Sequence, residues 1–129
     1  MITKHVDIDN NQWGVLLIYD FDTYEDEVNL AAIMRSFGVK PKKIDYALDV
    51  LSTYNSGMAI SNFDLRMSVI FIGKTTSTSQ FWNTISHEVS HVASAITEYY
   101  DKPCNGEDFA YLTGYILQCI VEKVGVPCK

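Results

Sequence analysis

The chain has 129 residues, 47% hydrophobic and 20% charged, the composition of a globular domain rather than of a disordered or fibrous segment. A formal net charge of −6 argues against a nucleic-acid partner and against binding to an anionic membrane surface, since both select basic surfaces. Three cysteines, Cys104, Cys119 and Cys128, cannot all pair within one chain, and no charged-then-apolar leader opens the sequence. A reducing, cytoplasmic setting and a single domain spanning residues 1–129 are therefore expected.

The first clear element is Trp13 to Tyr19, a short apolar run rich in β-formers that reads as a buried strand. His5, before it, has no donor set nearby and is read as a surface residue. Asp22 or Thr23 can cap a helix running from about Tyr24 to Phe37 and ending at Gly38. Pro41 suits the first turn of a second helix whose buried stripe is Ile44, Ala47, Leu48 and Leu51, closed by Asn55-Ser56-Gly57. Met58 to Phe63 and Met67 to Ile72 then read as two strands joined by a turn. The second is the continuous apolar run of a central strand, and the first, more polar, suits an edge. Gly73-Lys74-Thr75 superficially suggests a phosphate loop, but Ser68 stands where the earlier glycine is required, which excludes it. Repeats, low-complexity tracts and apolar runs of membrane length are absent.

The most informative segment is His87-Glu88-Val89-Ser90-His91. Ser77-Thr78-Ser79-Gln80 has the form of a capping box, and Ile85, Val89, Val92 and Ile96 follow helical periodicity, so these residues lie on a helix from about Phe81 to Tyr100. Histidines four apart share one helical face, on which both imidazoles can reach one metal ion. Glu88 is rotated by about 100° from His87 and can reach a water beside that ion without taking a ligand position. The two histidines fall roughly opposite the apolar stripe, as an active-site helix lying across a sheet requires.

A catalytic zinc normally takes three protein ligands and a water. Glu98 lies seven residues beyond His91, too far along the same axis. Glu107 is the better candidate. Lys102-Pro103-Cys104-Asn105-Gly106 reads as a turn, and a further helix runs from near Glu107 to about Lys123. On it Glu107, Ala110, Tyr111 and Gly114 share a face whose small residues would allow close approach to the histidine helix, with Phe109, Leu112, Ile116 and Ile120 buried on the other. Asp108 and Asp101 are alternative third ligands, and Glu107 could instead complement the positive helix N-terminus.

These residues carry a family likeness. The chain resembles the zincin metallopeptidases whose third ligand is a glutamate on the following helix, and is most similar to short zincin-like proteins of phages and related mobile elements, which have His-Glu-x-x-His followed by Glu-x-x-Ala-Tyr-x-x-Gly. Here those motifs are His87 to His91 and Glu107 to Gly114, and the likeness spans Phe81 to Gln118. It implies zinc held by His87, His91 and Glu107, with Glu88 as general base. One departure is Ala110, where larger zincins of this type carry an aspartate that orients a histidine.

The expected architecture is thus α+β, a minimal zincin-like domain with a short sheet packed against about four helices. The expected activity is zinc-dependent hydrolysis of a peptide or protein substrate. Tyr111 is the first candidate for an oxyanion donor, with Tyr54 or Tyr115 behind it. Ala59, Ile60, Ser61 and Asn62 are the candidate substrate strand, either by β-augmentation or as a plain hairpin. A zincin-derived binding or structural module is the alternative function.

Overall fold

The computed structural model describes residues 1–8 and 12–125, so Cys128 lies outside the described residues. In chain order its elements are β1 (Ile2–Ile8), β2 (Trp13–Tyr19), α1 (Tyr24–Ser36), α2 (Pro41–Leu51), β3 (Gly57–Asn62), β4 (Met67–Ile72), α3 (Thr78–Tyr99) and α4 (Gly106–Val124). The architecture is α+β: a mixed sheet of four strands in the order β1-β2-β4-β3, with four helices.

The two unbroken apolar runs occupy the two central positions, where both faces of a strand are covered. β2 and β4 pair in parallel, while β1 joins β2 and β3 joins β4 antiparallel. Val15 and Leu17 of β2 and Ile70 and Ile72 of β4 point to one face, where they meet Ile85, Val89, Val92 and Ile96 of α3 and Ile116 and Ile120 of α4. Ile18, Val69 and Phe71 point to the other, against Leu30 and Met34 of α1 and Ile44, Ala47 and Leu51 of α2. The sheet is therefore the middle of three layers. Among the described residues no helix is long and apolar enough to cross a membrane.

Local signals set the helix starts. Thr23 caps α1 through a reciprocal box in which its hydroxyl accepts from the Asp26 amide and the Asp26 carboxylate accepts from the Thr23 amide. Ser77 caps α3 by accepting from the Gln80 amide at 3.1 Å.

Two sequence expectations are corrected here. The sequence pattern marks no element before Trp13, yet Ile2–Ile8 is a strand whose Ile2, Val6 and Ile8 face α4. His5 lies on that strand, exposed, with Nε2 3.7 Å from Asp7 Oδ1. The second correction concerns α4, which was expected to be buried on both faces. Only the side carrying Ile116 and Ile120 is buried, and Glu107, Ala110, Tyr111 and Gly114 all face solvent. A Cβ at Gly114 would meet nothing within 4 Å, so its smallness serves no close packing. The physical reason is that α4 packs at the side of the layer over β1, where one apolar stripe suffices to seal the core.

Candidate metal centre

The apolar stripe of α3 fixes the helix over the sheet, and that rotation decides where every polar side chain points. His87 and His91 are exposed, as their position off the stripe requires. Their rings stand edge to face with centroids 5.0 Å apart. Glu88, between them in sequence, is turned inward and is only 5% exposed. One ligand atom from each of His87, Glu88 and His91 lies within 4.8 Å of the others, so the group could hold a metal ion. A tetrahedral ion about 2.1 Å from its ligands needs them roughly 3.4 Å apart, a closure that torsions of two exposed imidazoles can supply.

The inward turn of Glu88 has an electrostatic consequence. Burial pushes its carboxyl above the ordinary carboxylate range, and the neighbouring His87 and His91 pull it partly back. No buried polar side-chain atom among the described residues lacks a hydrogen-bond partner, so the Glu88 oxygens keep an opening to the surface.

Glu88 and Thr84 lie on the flank of α3 that meets β3. A Cβ built on Gly57, the first residue of β3, would stand 2.6 Å from Thr84 Cγ2, 3.1 Å from Glu88 Cγ and 3.2 Å from Glu88 Oε2. Gly57 and Thr84 are neighbours of the site to which no sequence motif points, Gly57 reading in sequence only as the end of α2. A glycine opening a strand was the available signal, since it often marks a close approach.

Glu107 is not brought to this group. It lines a cavity with Ile96, Thr97 and Tyr100, at the C-terminal end of α3. Thr97 is about 9 Å further along the helix axis than His91 and rotated from it by about 120°. Asp108 lines the same cavity, and Asp101 is exposed in the turn before α4. Tyr111 is 74% exposed on the outer face of α4. Tyr54 lines a separate cavity between α1 and α2, and Tyr115 is exposed on α4. Glu98 is exposed, and Cys104 and Cys119 are free thiols.

Ala59, Ile60, Ser61 and Asn62 lie on β3, which is an edge of the sheet, beside the helix that carries the histidines. Ala59 packs toward α3 and Ile60 toward α1 and α2.

Chemically, the arrangement offers two accessible imidazole donors, a shielded carboxylate whose proton affinity is raised, and an open strand edge alongside. No protein-family model, no curated protein and no solved structure matches this chain.

Proposed function

We propose that the chain is a zinc-dependent peptidase of zincin type, acting on a peptide or protein substrate in the cytoplasm. The observation that carries this reading is the shielded Glu88 carboxylate beside two exposed histidines, with one ligand atom of each residue within 4.8 Å of the others. A metal that merely braced a fold would not call for a shielded carboxylate at its side, and such sites are usually closed by a fourth protein ligand.

His87 and His91 hold the ion, and mixed nitrogen and oxygen donors suit zinc. When bound, zinc makes water more acidic and polarises a carbonyl. Glu88 accepts the proton of the attacking water at a carboxylate oxygen and returns it to the leaving amine. Its place beside the two histidines on one stretch of helix suits both transfers. The edge of β3 from Ala59 to Asn62 offers main-chain groups to an extended substrate. Glu107 is the third ligand that the family likeness implies, and it would reach the ion only if the first turn of α4 moved toward His91.

A second reading is a metal-binding module without turnover, favoured by the distance of Glu107 from the histidines and by Ala110 in place of an orienting aspartate. Substituting Glu88→Gln separates the two. With a mixed peptide library read by mass spectrometry, a peptidase loses at least ~100-fold in rate while keeping its metal. A module cleaves nothing in either form. Cleavage that persists undiminished in Glu88→Gln belongs to a contaminant and sinks the peptidase reading, with His87→Ala as the control lacking a ligand.

A further inference from the structure

We propose that Gly57 is the positioning residue for Glu88: the bare backbone at the start of β3 is the surface against which the carboxylate is set beside the histidines. The inference rests on the metal-site reading above and extends it to a residue on another element.

Glycine weakens a strand, because it loses more conformational freedom on folding and brings no side chain to pack. The backbone of Gly57 does not adopt the left-handed conformation that demands glycine, whereas Gly38, Gly106 and Gly125 do. Space is the remaining reason. A Cβ there would overlap Thr84 Cγ2 at 2.6 Å and press on Glu88 Cγ and Oε2 at 3.1 and 3.2 Å. Thr84 is poorly placed to yield, because its hydroxyl is tied to the Gln80 carbonyl at 2.9 Å. The other residues of β3 that share this face, Ala59 and Ser61, are also small, so α3 lies close along the strand. Adding one methyl group at position 57 therefore moves the Glu88 side chain away from the strand and changes its place relative to His87 and His91.

A test must separate this role from simple overpacking. Gly57→Ala alone meets the Thr84 methyl group and is expected to lower the melting temperature. Thr84→Ser removes that methyl group and keeps the hydroxyl, so Gly57→Ala/Thr84→Ser is expected to regain the melting temperature of Thr84→Ser while the pressure on Glu88 remains. The readout is Co²⁺ titration with the visible spectrum of the loaded protein, and Glu88→Gln supplies the reference signature of a disturbed carboxylate. The expected result is that the double variant reproduces the Glu88→Gln spectrum and shifts Co²⁺ affinity in the same direction by at least about threefold, roughly 0.6 kcal/mol or more, while Thr84→Ser matches the wild type. A double variant with wild-type affinity and spectrum overturns the positioning role and leaves the metal site standing. A wild type that binds no Co²⁺ overturns the metal-site reading and this role with it, whereas a Glu88→Gln variant indistinguishable from a Co²⁺-binding wild type overturns this role alone, because the carboxylate then does not act on the ion.

Discussion

The indole nitrogen of Trp13 donates a 3.0 Å hydrogen bond to the hydroxyl of Ser68, both residues being buried under α3. Ser68 Oγ in turn lies 2.6 Å from Ser61 Oγ, so a polar thread crosses β2, β4 and β3 on the face that carries the histidine helix. Tyr99, near the end of α3, packs edge to face on Trp13 at 5.3 Å. The thread thus ties the sheet to the far end of that helix.

Replacing Ser68 by alanine leaves the Trp13 N–H buried without an acceptor. The expected cost is about 1–3 kcal/mol of stability, the usual penalty for an orphaned buried donor. Ser61→Ala, on the half-buried edge strand, should cost less. Urea denaturation of both variants checks the order, and equal losses would place the acceptor elsewhere.

Metal binding is expected to depend on the two histidines. His87→Ala or His91→Ala should reduce zinc affinity by at least about tenfold, as loss of one of two strong nitrogen donors demands. Glu107→Ala and Glu98→Ala should leave it unchanged in the arrangement described. Competition with a chromogenic chelator measures all four. A tenfold loss in Glu107→Ala would show that α4 swings its first turn onto the ion when metal binds.

Tyr111 stands on the solvent side of α4, away from the core. Tyr111→Phe should leave the melting temperature and any peptide hydrolysis at wild-type levels, since exposed substitutions of this kind stay within about 0.5 kcal/mol. A selective fall in kcat would restore the oxyanion role that the sequence suggests.

Stability in acid should depend on the cap of α1. The Asp26 carboxylate accepts from the Asp22 and Thr23 amides at 2.9 and 3.2 Å, and these bonds hold its carboxyl below the ordinary 3.8. A carboxylate held low in the folded state binds fewer protons there than in the unfolded chain. Its stabilisation is therefore present above pH 3.8 and is lost as pH falls from 3.8 through the lowered folded value. Asp26→Asn should flatten that part of the melting-temperature profile between pH 5 and pH 2 while leaving the rest in place.

The central strands and the rotation of α3 were legible because each depends on a local pattern. β2 and β4 are apolar runs of strand length, and Ile85, Val89, Val92 and Ile96 mark one side of α3 and so turn the histidines outward. β1 escaped because Lys4 sits at the inward parity of Ile2, Val6 and Ile8 and breaks the alternation. Lys4 is half-buried there, a placement the pattern cannot distinguish from that of a surface residue. The placement of α4 was not legible for a different reason. Its apolar residues fix the face that is buried, but the position of its first turn along α3 depends on the turn at residues 100–105 and on packing over β1, both long-range matters. Gly57 was visible as a glycine but not as a neighbour of Glu88, because they are 31 residues apart and meet only when α3 settles on the sheet.

His87, Glu88 and His91 come from little more than one turn of a single helix. An ion held by these side chains alone joins no segments distant along the chain. It closes no loop and so removes almost none of the unfolded chain's entropy, unlike a metal that clips two elements together. Cohesion must come from the apolar layers on either side of the sheet. Stripping the ion with a chelator should accordingly abolish metal-dependent behaviour while the circular dichroism spectrum and the folding cooperativity persist. A site so placed can be lost, or exchanged for another ion, without endangering the fold that carries it.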